Sequence, residues 1–208
     1  MASRESSVPS NEAEPRRSAK WHERRQNIVD LSAKVIAQRG YHATSTTELC
    51  QANQLGKGAL YYYITSKEQL LVAIHDRVMD EVLLSGDRVS LAEGSPSDRL
   101  TMLGAELLDI IARYPDHVWV FLHEFPALTG EYATQFRARR REYEQIVEAV
   151  LAAGVASGEF RELDSKLTAR AWLGMHNYTY LWLKRDRPLT AAQVAAAFAE
   201  IFIRGIAS

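Results

Sequence analysis

The chain has 208 residues, 47% of them hydrophobic, which is enough to bury a sizeable core in one large domain or two small ones. Its 25 Lys and Arg nearly balance 26 Asp and Glu, so total charge gives no reason to expect a nucleic-acid partner. One cysteine, Cys50, excludes an internal disulfide framework and suits a reducing compartment, and no stretch approaches the roughly 18 uninterrupted apolar residues of a membrane span. With no apolar signal segment at the amino terminus, a cytoplasmic location is expected.

The balance changes once the chain is divided. Residues 1–67 hold ten Lys and Arg against six Asp and Glu, while the remainder holds fifteen against twenty. Basic charge is therefore concentrated at one end, as counterion-release binding to DNA requires. Residues 1–18 read as a polar arm, disordered when free. Arg16, Arg17, Lys20, Arg24 and Arg25 form a basic lead-in, for which an arm reaching a minor groove or flanking phosphates and a solvated tail fit equally.

From Lys20 to Arg39, Ile28, Leu31, Val35 and Ile36 recur at helical spacing and Gly40 supplies the stop. Ser45 and Glu48 then form a capping box, so a short helix begins at Thr46, burying Leu49 and Cys50. The pattern lapses over Asn53, Gln54, Leu55 and Gly56, where Asn or Gly is expected to take the special backbone angle. A second short helix follows, Lys57 to Ile64, with Leu60 and Ile64 as its buried edge. This is helix-turn-helix spacing. Three consecutive tyrosines, Tyr61, Tyr62 and Tyr63, cannot all point inward on a helix that advances about 100° per residue. Outward phenols suit phosphates and base edges, Gly58 and Ala59 permit close approach to a groove, and Lys57 can reach a guanine or a phosphate. Ser66 and Gln69 make a second capping box, which starts a long helix and sets Lys67 beside the same phosphates.

The runs Gly40-Tyr41-His42-Ala43-Thr44-Ser45, Thr47-Glu48-Leu49-Cys50-Gln51-Ala52, Lys57-Gly58-Ala59-Leu60-Tyr61-Tyr62-Tyr63 and Ser66-Lys67-Glu68-Gln69-Leu70-Leu71 resemble the amino-terminal domain of the TetR family of bacterial transcriptional repressors. The resemblance implies an all-helical homodimer that grips a palindromic double-stranded DNA operator and is released by a small ligand. It also implies that Thr46, Thr47, Lys57, Gly58, Ala59, Tyr61, Tyr62, Tyr63 and Lys67 face DNA. Three positions depart from the family pattern: Gln54 stands at the usual turn glycine, Gly56 at the usual serine cap and Ile64 at the usual phenylalanine.

Beyond Ser66, Leu70, Leu71, Ile74, Val78 and Val82 mark one stripe of the long helix, which ends before Gly94 and links the two halves mechanically. Ser95 and Pro96 open a helix that Pro115 interrupts. The segment 116–128 carries Trp119, Phe121, Leu122, His123, Phe125 and Leu128, with Pro126 bending it. Packed core and ligand cavity both fit such a segment. Gly130–Ser157 reads as another long helix with Phe136, Tyr143, Ile146, Val147, Val150 and Leu151 inward. Its run Arg137, Arg139, Arg140, Arg141 is either a solvated face paired with Glu142, Glu144 and Glu148 or a seat for an anionic effector such as a coenzyme A thioester. Asp164 or Ser165 caps a helix to about Lys184 that carries Trp172, His176 and Trp182, and Thr190 caps the last, Ala191 to Ile206. Val194, Phe198, Ile201 and Phe202 line one side of that last helix. Both terminal helices have more apolar perimeter than one interior absorbs, so they are expected to form a four-helix interface with their copies.

The expected fold is all-α, about nine helices. Residues 19–66 form a three-helix DNA-binding domain and residues 67–208 an effector-binding and dimerisation domain. The effector set is Trp119, His123, Phe125, Phe136, Arg140, Tyr143, Trp172 and His176. The likeness of the carboxy-terminal half to regulators of lipid or steroid catabolism, carried by Gly158-Glu159-Phe160-Arg161 and Pro188-Leu189-Thr190, implies an acyl-CoA or other lipid-like effector. No cofactor or metal is expected. The rival reading is a small helical enzyme or a ligand-binding protein using the aromatic cavity, against which stands the lack of a glycine-rich phosphate loop, HExxH, CxxC or nucleophile elbow.

Overall fold

The computed structural model describes residues 17–183 and 188–208. The expected arm therefore lies outside the described residues except for Arg17 and Ser18, as do Arg16 and Lys184. Among the described residues, nine α-helices and two short 3-10 turns make up the regular structure, with one isolated bridge between Phe160 and Ala207.

Helix α1 (Ala19–Arg39) is capped by the Ser18 hydroxyl, which accepts from the Trp21 amide at 3.2 Å, and it stops at Gly40, whose φ is 85°. Its buried stripe is Ile28, Val29, Ser32, Ala33 and Ile36. Leu31, expected inside, is 44% exposed, because it lies about 130° around the helix from the centre of that stripe. Helix α2 (Thr46–Asn53) packs on α1 and α3 (Lys57–Tyr63) on α2, with Leu49, Leu60 and Ile64 buried in the shared core. Cys50 is only half-buried at the edge of this core.

Helix α4 (Lys67–Leu91) is 25 residues, about 37 Å long. Its first half buries Leu70, Leu71, Ile74 and Val78 and its second half Val82 and Val89. One rod thus runs through a core continuous from the short helices to the rest of the chain. The box expected at its start is half-formed: the Ser66 hydroxyl accepts the Gln69 amide at 3.0 Å, but the Gln69 side chain donates instead to the Tyr132 hydroxyl at 2.5 Å.

Helices α5 (Pro96–Arg113), α6 (Pro115–His123), α7 (Gly130–Ser157), α8 (Ser165–Asn177) and α9 (Ala191–Ile206) complete the chain. Helices α4, α5 and α7 pack against one another, α8 lies on α7, α9 lies on α5, and α6 is held between α1 and α4. Where α4 meets α7, a Cβ on Gly86 would come within 2.7 Å of Ile146 Cδ1, so only glycine allows this spacing without a shift. Helix α8 ends well short of Lys184: it stops at Asn177, and a 3-10 turn over Tyr178–Leu181 follows. Of the residues expected along one side of α9, Val194 is buried and Ile201 is 66% exposed.

The left-handed turn residue between α2 and α3 is neither Asn nor Gly. Gln54 takes φ 53°, ψ 43°, a region that costs a residue with a Cβ roughly 1–2 kcal/mol, while Gly56 is the extended N-cap of α3. Gln54→Gly is expected to raise unfolding free energy by about 1 kcal/mol in a denaturant titration, part of the relief being offset by the extra freedom of glycine in the unfolded chain.

Candidate nucleic-acid interface and effector cavity

The helix-turn-helix is fixed from below. Glu48 accepts the Ser45 amide at 2.7 Å and the Arg39 guanidinium at 2.5 Å, while the Ser45 hydroxyl accepts the Glu48 amide. The Ser45 bonds, the backbone amide first, hold the Glu48 carboxyl below its usual range. Asn53, buried at the end of α2, donates to Ser32 Oγ at 3.1 Å and to the Leu49 carbonyl at 2.9 Å, pinning the turn to α1.

Leu60 and Ile64 are 0% and 3% exposed, so α3 hangs from one edge. Lys57, Gly58 and Ala59 are exposed on the other side, as are Tyr61 and Tyr62. Thr47 is exposed too, and the half-buried Thr46 has its hydroxyl 3.5 Å from that of Tyr61. Tyr63 is different: its ring stacks on Trp21 at 5.7 Å and is half-buried. Lys67 is also turned inward. Its ammonium donates to the Tyr41 carbonyl at 2.5 Å and lies 4.3 Å from the centre of the Tyr41 ring, and burial lowers its pKa.

Helix α6 joins this unit to the rest. Glu124, at its end, accepts the Tyr41 amide at 3.0 Å. His117, buried, places Nε2 3.1 Å from Asp30 Oδ1 on α1, close enough for an ion pair though not aligned as a hydrogen bond. Val118 and Phe121 of the same helix line a cavity of about 580 Å³ bounded by α4, α5, α7 and α8.

The floor of the cavity is apolar: Val78, Met79, Val82, Leu107, Ile110 and Ile111 are all buried. Arg137, Arg140, Arg141 and Arg170 stand with Glu144 on its open side. Arg141 pairs with Glu144 and Glu148, Arg170 with Glu144, and Arg139 points away to Asp76 and Asp80. Glu142 pairs with none of them among the described residues. Arg140 spreads over the rings of Phe121, Phe125 and Phe136 at 5.6–5.7 Å, and among the described residues no carboxylate pairs with it or with Arg137.

Of the eight residues expected to meet an effector, only Arg140 and Tyr143 line this cavity. Helix rotation explains the others. On α8, Leu173, Gly174 and Asn177 face the cavity, whereas Trp172 and His176 are both 1% exposed and turned towards α5, with His176 Nε2 2.7 Å from where a Cβ on Gly104 would sit. On α6, Trp119 and His123 stack on one another at 4.5 Å, and His123 bonds Tyr180 at 3.1 Å, away from the Val118 and Phe121 side. Phe136 is buried behind Arg140 and stacks on Phe125, which is itself exposed. The lining left out of the expected set is the apolar stripes of α4 and α5, Val118 and Phe121 of α6, Arg137, Arg141 and Glu144 of α7, and Arg170, Leu173, Gly174 and Asn177 of α8. Of these, the α4 stripe is visible in the sequence as a helical period.

An outward two-turn helix below an arginine-rimmed apolar cavity, the two joined by α4 and α6, defines a ligand-responsive helix-turn-helix regulator. Residues 28–74 match the family "Bacterial regulatory proteins, tetR family" and residues 93–206 the family "Tetracyclin repressor-like, C-terminal domain". The chain belongs to the TetR family of transcriptional regulators. It is similar to the HTH-type transcriptional repressor KstR2 of Mycolicibacterium smegmatis, 27% identical over 88% of this chain and 90% of that one. Among solved structures, it resembles the TetR family regulator PfmR of Thermus thermophilus (30% identity, 85% of this chain and 97% of that one, TM-score 0.80). It also resembles AibR in complex with isovaleryl coenzyme A and operator DNA (32% identity, 86% and 97%, TM-score 0.76). No helix among the described residues is long and apolar enough to cross a membrane.

Two histidines, one on α4 and one on α8, are kept neutral above pH about 4. Burial, opposed in each case by a backbone bond, pushes His75 and His176 down to about 4. An unfolded histidine titrates near 6.5, so from there down to about pH 4 the unfolded chain binds protons that the folded rings refuse. Unfolding free energy should therefore be highest above pH ~6.5 and fall through that window, by on the order of 3 kcal/mol for each ring. Denaturant titrations across it should show a shallower pH slope for His176→Gln than for the wild type.

Proposed function

We propose that the protein is a repressor that binds a palindromic operator as a homodimer and releases it when a largely apolar effector with an anionic end enters the cavity. The observation that carries this is the exposed face of α3, where Lys57, Gly58, Ala59, Tyr61 and Tyr62 lie open to solvent while Leu60 and Ile64 hold the helix. Small residues at its start let the backbone approach a groove floor, and the phenols and ammonium supply donors to bases and phosphates. Thr46 and Thr47 flank that face, and Tyr63 and Lys67 orient it from behind. In this reading residues 19–66 are the DNA-binding unit, residues 67–208 the effector-binding and dimerisation unit, and the protein works in the cytoplasm beside its operator.

The partner copy docks on α8, the 3-10 turn that follows it and α9. Leu167, Tyr178, Leu181, Trp182 and Ile201 are exposed there, an apolar surface that a monomer would leave in water. Pairing sets two α3 helices on successive major grooves, about 34 Å apart. The effector is an acyl-CoA or another lipid-derived molecule, its chain on the floor of Val78, Met79, Ile110 and Ile111 and its anionic part over Arg137 and Arg140. Helix α6 carries the signal, since one side lines the cavity and the other holds α1 and the Tyr41 loop through His117 and Glu124. Such a ligand acts by binding better to the conformation in which the two α3 helices no longer match the grooves.

Tyr62→Ala and Lys57→Ala are each expected to weaken operator binding on the order of tenfold, read by fluorescence anisotropy, with unchanged melting temperature. Intact affinity in both would refute the docking. In a thermal-shift series against acyl-CoA esters, free fatty acids and steroids, a selective ligand raises the melting temperature by mass action. Arg140→Met should abolish most of that shift for a coenzyme A thioester while leaving operator affinity in the absence of ligand at the wild-type value.

A further inference from the structure

We propose that Arg17 is a DNA-contacting residue, held ready by Trp21 and Tyr62, so that the operator surface runs from α3 onto the start of α1. This rests on the docking of α3 argued above. Ser18 caps α1 by accepting the Trp21 amide, which fixes the point at which the chain leaves the helix and places Arg17 immediately outside it. From there the Arg17 guanidinium lies 4.9 Å from the centre of the Trp21 ring and 5.1 Å from that of Tyr62, and its Nη1 donates to the Tyr62 hydroxyl at 3.1 Å. Trp21 is itself braced: it stacks on Tyr63 at 5.7 Å and meets Tyr62 edge-on at 6.5 Å. Arg17 and Tyr62 are both exposed, so the cluster faces solvent on the side that α3 presents.

The direction of the hydrogen bond gives the pair its chemistry. The Tyr62 oxygen accepts from a cation, which leaves the phenol's own proton to be donated outward and makes it a stronger donor. Four of the guanidinium's five N–H groups are not used by Tyr62. A DNA phosphate beside α3 can therefore take a charge-assisted bond from Arg17 and a phenolic bond from Tyr62 at once, on side chains already held in place by aromatic contacts. Pre-ordering matters because a long side chain otherwise loses rotamer freedom on binding.

The test is a double-mutant cycle with the full chain: wild type, Arg17→Ala, Tyr62→Phe and the double variant, titrated across a potassium chloride series. The probe is a fluorescein-labelled duplex that the wild-type protein enriches from random-sequence DNA. Arg17→Ala should weaken binding about five- to tenfold and reduce the slope of log affinity against log salt by about one. The double variant should bind no more than about twofold worse than the weaker single one, because the two groups share one phosphate. Arg17→Ala with wild-type affinity and slope, or losses that multiply in the double variant, would overturn this proposal, and Tyr62→Ala would still be weakened if the docking of α3 is right. A wild type that enriches no duplex overturns the docking itself.

Discussion

Helix α3 has seven residues, too few to be stable in water, and its hold on the molecule is the burial of Leu60 and Ile64 in the shared core. On the proposed docking, what α3 presents to DNA depends on that edge, because a helix anchored along one side is free to expose the rest. The turn before it is held with equal care. Asn53 is bonded to Ser32 and to its own helix, and Gln54 accepts an unfavourable backbone angle so that α3 leaves at the required direction. Strain in the turn and burial along the edge together set the aim of the helix.

The elements were largely legible because capping chemistry is local. Ser45 with Glu48, Ser95 with Pro96 and Asp98, and Thr190 with Gln193 begin helices where the sequence places them. The bounds of α7 are those expected from Gly130 and Ser157. Local signals fail where a competing partner intervenes: Gln69 prefers Tyr132, sixty-three residues away, to its own cap. They fail again where rotation about a helix axis decides the outcome. Leu31 and Ile28 belong to the same period, yet neighbours on α2, α4 and α6 cover only one of them.

The cavity was harder to read for the same reason. A window rich in Trp, His and Phe marks packing, and in α6 and α8 the aromatic and imidazole rings at i and i+4 turn together, towards α5 or towards the 3-10 turn after α8. The lining comes from plain aliphatic stripes on α4 and α5, whose sequence looks like any core. The arginine run was the exception. Its members part company according to neighbours that no linear spacing reveals, Arg139 to Asp76 and Asp80 on α4, Arg141 to its own helix, and Arg140 to three phenyl rings.

Tyr63 gives the recognition surface a division of labour. Its ring lies against Trp21 rather than towards solvent, so the tyrosine run is two exposed residues, which the proposed docking turns towards DNA, and one strut. Orientation and readout are then assigned to different positions. On the proposed docking, lineages descended from such a protein can exchange Lys57, Gly58, Ala59 and Tyr61 to acquire new target sequences, while the strut and its indole support keep each new side chain seated at the same angle.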